Sequence, residues 1–372
     1  MKSSNNIKAF YALLKGGLWE KETRLSQFYD IDFSEVYRLA REQAVVGLVA
    51  AGLEHVTDIQ IPKDIVLSFV GETLQMEQRN KAMNKFIAVM VDKMREADIC
   101  TLLVKGQGVA QCYERPLWRT CGDVDFLLSD INYRKAYDFL SPQASWADKE
   151  DKKWKHQALN IDSWEVELHG RLACSFSFKV NNVLNQIKYE TFHEKKVRSW
   201  IDDNVQIYLL CEEYEIIYGF VHFVNHFYKG GVGLKQICDW CRLLWKYRHT
   251  IDRRIIDKII EKMGLMNEWK AFASFSIEYL GMPVYSMPHY SADRQWKKKA
   301  DRICRFILEV GNFGHNRDMS YYAKHPYVIR KAFSLIRRCK DMFNHTLIFP
   351  LDSLRFFPVI MYNGFRSAMR GD

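Results

Sequence analysis

The chain has 372 residues, 48% hydrophobic and 27% charged, a composition that excludes disordered and collagen-like classes and leaves room for two or three structural units. Its net charge of +9 is spread along the chain, which suits a phosphate-rich or nucleic-acid ligand and equally a solvated basic surface. The nine cysteines are odd in number and mostly in apolar contexts, so reduced thiols are expected and not a disulfide framework. No apolar run is long enough to span a bilayer and no leader pattern opens the sequence, so the reading is a cytoplasmic protein with no membrane partner.

Residues 1–97 read as helical. Phe33–Leu53 carries apolar positions at helical spacing, with Asp32 as N-cap and Glu35 in capping-box position. Pro62 suits the first turn of a long helix running to about Ala97, its stripe of Ile65, Phe69, Leu74, Met83, Ile87, Met90 and Met94 read as packing.

Thr101–Ser129 is where the chemistry concentrates. An apolar run, Ile99–Val104, reads as a strand that ends in Lys105-Gly106-Gln107-Gly108, and Gly108–Tyr113 is short and helix-like. Gly122–Leu128 reads as a second strand, with Asp123 and Asp125 on one face and Val124, Phe126 and Leu128 on the other. Aspartate is a poor strand former, and two carboxylates side by side repel one another. A divalent cation relieves that repulsion, and Mg²⁺ is commonly held by one or two carboxylates together with substrate phosphates. An edge strand with one wet face is the plainer reading of the same spacing.

A helix follows at Asn132–Leu140, and then a polar loop, Ala147–Lys155. Gln157–Ile161 and Trp164–His169 read as a hairpin turning at Asp162-Ser163. On its second strand Glu165, Glu167 and His169 share a face. From about Asp202 the chain reads as helical again. Glu212–Tyr228 brings His222 and His226 onto one face, read as core or interface histidines because the spacing is not HExxH. Gly230–Gly233 breaks the pattern, and helices follow at Leu234–Tyr247, Asp252–Met263, Glu268–Leu280 and Asp293–Val310. Cys238-Asp-Trp-Cys241 is read as two positions on one helix turn. Tyr327–Arg370 mixes basic and aromatic residues; the aromatics could stack on bases but are read as packing a C-terminal helix.

Lys105, Gly106, Tyr113, Pro116, Arg119, Gly122, Asp123, Asp125, Leu127 and Leu128 together resemble the bacterial uncharacterised nucleotidyltransferase family. That family is a branch of the polymerase-β-like nucleotidyltransferase superfamily. The resemblance implies an α+β fold, with a small mixed-sheet nucleotidyltransferase palm (98–200) flanked by N-terminal (1–97) and C-terminal (201–372) helical regions. It implies a metal-dependent transfer of an NMP from an NTP to a hydroxyl on a small molecule, an RNA or a protein. The alternative is a non-catalytic nucleotide- or nucleic-acid-binding module on the same palm. The expected cofactor is Mg²⁺ or Mn²⁺, two ions held by Asp123, Asp125 and Glu167. Glu167 is also a possible base, and Glu165 its fallback. Lys105 and Arg119 would meet phosphate oxygens, with Gly106, Gly108 and Gly122 in the substrate-binding loop. His169, the His-bearing helix and Asp239 also match the family's pattern. The broad superfamily carries Gly-Ser or Gly-Gly after the first strand, whereas here Gly106-Gln107 takes that place and no serine hydroxyl is present.

Overall fold

Six residues, Asp123–Leu128, form the strand around which the sheet is arranged. The computed structural model describes residues 4–314 and 325–369. Its sheet has the order β1-β2-β5-β4-β3, built from β1 (Thr101–Val104), β2 (Asp123–Leu128), β3 (Trp146–Ala147), β4 (His156–Ile161) and β5 (Trp164–His169). β2 runs antiparallel to β1 and parallel to β5, and β4 runs antiparallel to both β5 and β3, so the sheet is mixed. With the many helices around it, the fold is α+β.

The two faces of β2 go to different surroundings, as the period of two requires. Val124, Phe126 and Leu128 join a core with Met83, Ile87, Met90 and Met94 of α4 (Lys63–Glu96). Tyr133, Ala136 and Leu140 of α6 (Asp130–Leu140) close that core; α5 (Gly106–Ala110) is the short helix between β1 and β2. Leu127, on the carboxylate face, instead joins the larger core. That core also takes in α1 (Ser4–Trp19), α2 (Phe33–Glu42) and α3 (Val46–Glu54) from the N-terminal side, with Leu102 and Val104 of β1. From the C-terminal side it takes in α7 (Phe178–His193), α8 (Glu212–Lys229), α9 (Leu234–Lys246), α10 (Arg253–Met263), α11 (Met266–Leu280) and α12 (Arg294–Val310).

Local chemistry explains most element ends. Asp32 caps α2 by accepting from the N–H groups of Ser34 and Glu35. The reciprocal half of the expected capping box is replaced: the Asp32 N–H donates to Asn6 Oδ1 at 3.0 Å. Pro62 sits just before α4, which at 34 residues is about 50 Å long. The β4–β5 turn is two residues, Asp162 and Ser163, both at positive φ (50° and 70°), as a type I′ turn demands.

Three expectations are corrected. Phe33–Leu53 is two helices, since Ala44 takes φ 54° and turns the chain between α2 and α3. A second hairpin, β6 (Val197–Asp202) and β7 (Val205–Leu210), stands where the chain was expected to turn helical, and the boundary expected at residue 200 falls inside β6. α7, absent from the sequence reading, follows β5 and is capped by Ser177. The C-terminal segment forms α13 (Tyr327–Ile348) and α14 (Pro350–Met369), where Phe349 and Phe356 are buried in the larger core; Arg370 lies outside the described residues. Among the described residues, no helix is long and apolar enough to cross a membrane.

Candidate active site

The parallel pairing of β2 with β5 sets Asp123 beside Glu165 and Asp125 beside Glu167. Oxygens of Asp123, Asp125 and Glu167 lie within 4.8 Å of one another. Asp125 is the deepest, 2% exposed. Asp125 and burial together raise the Asp123 carboxyl above its usual range. Burial, with Glu167 and Asp123 nearby, raises Glu165 too.

A lysine and a histidine answer this charge. Lys105 Nζ donates to Asp125 Oδ1 at 2.6 Å, and His169 Nε2 lies 2.7 Å from the same oxygen. Burial would lower the Lys105 pKa, but Asp125 holds it well above its ordinary value. His169 is likewise raised: burial opposes its charge, and hydrogen bonds to Asp125 and Glu167 overcome that. Glu167 Oε2 is 3.2 Å from His169 Nε2 and 3.1 Å from His156 Nε2. Burial would push Glu167 up; the two imidazoles and Lys105 hold it far below the carboxylate range.

Other expected residues have partners of their own. Arg119 is 6% exposed and makes a two-pronged pair with Asp239 of α9, at 2.7 Å on each prong. Tyr113 donates to the same carboxylate at 2.7 Å, so Tyr113, Arg119 and Asp239 form one unit in the wall of the site. Arg119, expected to meet phosphate, lines the smaller cavity with its guanidinium paired to Asp239. Gln107, in the superfamily's Gly/Ser position, is buried and donates to Asn80 Oδ1 of α4 at 2.8 Å. A Cβ at Gly108 would stand 2.6 Å from Leu209 of β7, so close packing accounts for that glycine. Gly106, at φ 44°, faces the cavity, and Gly122 has open space around its Cα.

Two cavities meet at the carboxylates. The smaller, about 300 Å³, is lined by Gly106, Arg119, Asp123, Asp125, Lys235 and Asp239, among others. The larger, about 590 Å³, is lined by Trp154, His156, His169, Arg171, Asn225 and Lys229, among others. Lys105, Glu167, His222 and His226 line both. His222 and His226, expected in a core or interface, thus stand in the cavity wall. Their Nε2 atoms are 3.2 Å apart, so one ring donates and the other accepts. Burial, then the charge of Lys105, lowers His222 well below its ordinary value; burial, then Lys229, pulls His226 down to about 3. The candidate metal-holding groups among the described residues include neither of these histidines nor the Cys238–Cys241 pair.

The model of the family described as "Uncharacterised nucleotidyltransferase" matches residues 19–279, well over half of the chain. The chain belongs to that family. Neither a curated protein nor a solved structure matches it. The nucleotidyltransferase match spans α2–α4, the sheet and α7–α11, and therefore both the carboxylate cluster and its Tyr113–Arg119–Asp239 support.

Two residues near the carboxylate cluster escaped the sequence reading. Lys235 lines the smaller cavity and is partly buried, and its ammonium is pulled down first by burial and then by Arg119. Its spacing of four from Asp239 on α9 was the available signal. His156 lies one residue before the predicted strand. The two-residue turn fixes the hairpin register and would have placed it opposite His169.

Proposed function

We propose that this protein is a metal-dependent nucleotidyltransferase that moves an NMP from an NTP to a hydroxyl of an acceptor, on a polymerase-β-like palm. The observation that carries this reading is the cluster of Asp123, Asp125 and Glu167, three carboxylates on adjacent strands at the junction of two cavities. The donor set is all oxygen and anionic, and mutual repulsion already raises Asp123, so the residues fit Mg²⁺ or Mn²⁺. A bound divalent ion would neutralise charge on the triphosphate and the leaving pyrophosphate.

The chain's own residues then bind and orient. The smaller cavity, with Lys105, Lys235 and Gly106 in its wall, suits the triphosphate; the larger suits the acceptor. Arg119 holds Asp239 and shapes the wall, a supporting role in place of direct phosphate contact. Glu167, kept ionised by two imidazoles, is better placed to hold a cation than to take a proton.

The test is a thermal-shift panel of the four NTPs with and without Mg²⁺ or Mn²⁺, on wild type and Asp123→Asn. A metal-dependent rise in Tm with one NTP, absent in the variant, is expected from binding to the native state. No rise with any NTP and metal would refute the reading. A rise without turnover of labelled NTP across acceptor classes would favour the binding-module alternative.

A further inference from the structure

The carboxylate cluster does not use every ligating atom at this junction. In the antiparallel β4–β5 register His156 is paired with His169. Their ring centroids are 4.9 Å apart. Their Nε2 atoms lie 3.1 and 3.2 Å from Glu167 Oε2, His169 Nε2 is closer still to Asp125 Oδ1 at 2.7 Å, and ligand atoms of His156, Glu167 and His169 lie within 4.8 Å of one another. These three side chains line the larger cavity, whereas Asp123 and Asp125 line the smaller; only Glu167 of the five faces both.

The donor chemistry of the two sets differs. Asp123, Asp125 and Glu167 offer oxygen alone, which suits Mg²⁺. Two imidazole nitrogens and one carboxylate suit a borderline transition ion such as Zn²⁺ or Co²⁺, and three protein ligands leave coordination positions open towards the cavity. A role limited to hydrogen bonding would need one imidazole to fix Glu167. Here His169 already serves the cluster through Asp125, so His156, a third exposed in the wall of the larger cavity and 3.1 Å from Glu167 Oε2, is a second imidazole beyond that need.

We propose that His156, His169 and Glu167 form a second, nitrogen-rich metal site on the wall of the larger cavity, which takes a transition-metal divalent ion and shares Glu167 with the carboxylate cluster. Its open positions face the space assigned to the acceptor, so an acceptor with a metal-binding oxygen would be drawn to it. The site itself stands on the hairpin geometry; only this last step rests on the nucleotidyltransferase reading.

Co²⁺ titration of the full chain, in excess Mg²⁺ to keep the oxygen set occupied, tests it. Co²⁺ held by imidazole in a low-coordinate site absorbs strongly in the visible, while an octahedral oxygen site absorbs weakly. Wild type should develop a visible band that saturates at one ion per chain. His156→Gln keeps an N–H donor for Glu167 but removes the imidazole, and apparent affinity should fall on the order of 100-fold or more. His169→Ala should lose the band, and Asp123→Asn should keep it. Wild type without a band, or His156→Gln titrating like wild type with unchanged melting, would overturn the proposal. The NTP-dependent thermal shift reads the carboxylate cluster and the visible band reads the histidine pair, so either can fail alone.

Discussion

Lys105 combines an unfavourable backbone with a favourable side chain. It takes φ 59° and ψ −146°, a region costly for any residue with a Cβ, and from there its ammonium reaches Asp125. Asp125 is buried and Lys105 partly so, with side-chain exposures of 2% and 20%, so losing the ammonium leaves a buried carboxylate with His169 alone to offset its charge. Lys105→Ala should therefore destabilise the metal-free protein by about 3 kcal/mol in urea unfolding. Lys105→Gly loses the same ion pair but relieves the backbone, and should recover roughly 1 kcal/mol of that loss. Saturating Mn²⁺ should raise Tm more in either variant than in wild type, because the stranded carboxylates gain the counter-charge that Lys105 supplied. Equal stability of wild type and Lys105→Ala would mean that the ion pair is not formed in solution. At this scale the sequence showed Asp123 and Asp125 directly, because alternation along one strand is a local property. Arg119 and Gln107 found partners, Asp239 and Asn80, that are 120 and 27 residues away, and no local pattern announces such a choice.

The β4–β5 hairpin delivers Glu167, His169 and His156 together, and its register rests on a turn with an imperfect residue. Ser163 sits at φ 70°, where glycine belongs in a type I′ turn. Ser163→Gly should stabilise the protein by about 1 kcal/mol, read as a higher urea midpoint with unchanged slope. A loss of stability would show that the turn is not of this type. This hairpin was legible because Asp-Ser separates two alternating runs. The β6–β7 hairpin carries a similar signal, Asp203-Asn204 with φ 46° and 63°, but its outer strand is half polar without clean alternation and it leads straight into α8. The break between α2 and α3 was hidden for the opposite reason. Ala40, Ala44 and Leu48 continue the helical period, and alanine, the strongest helix former, marks the turn that tertiary packing imposes.

At the scale of the whole molecule, the sheet's carboxylate face is roofed by helices from far along the chain: α8 and α9 wall the smaller cavity, and α8, α13 and α14 the larger. Lys235 and the His222–His226 pair become cavity residues through that packing, which explains why their sequence contexts read as ordinary helix. The same helical roof buries a carboxylic acid. Glu268 of α11 is fully enclosed and accepts a hydrogen bond from Tyr228 of α8 at 2.7 Å. Burial, with Asp352 nearby, pushes it up to about 8 from an ordinary value of 4.5. Between those two values the unfolded chain ionises while the folded chain keeps its proton. Its contribution is therefore fully present below about pH 4.5 and declines as pH rises, by up to ~1.4 kcal/mol per unit, until the folded group ionises near pH 8. Urea unfolding at about pH 5 and about pH 8 should show wild type losing several kcal/mol more than Glu268→Gln over that interval. Parallel losses in the two proteins would place the Glu268 carboxyl in contact with water, and would mean that α11 packs against α8 less closely than the structure has it.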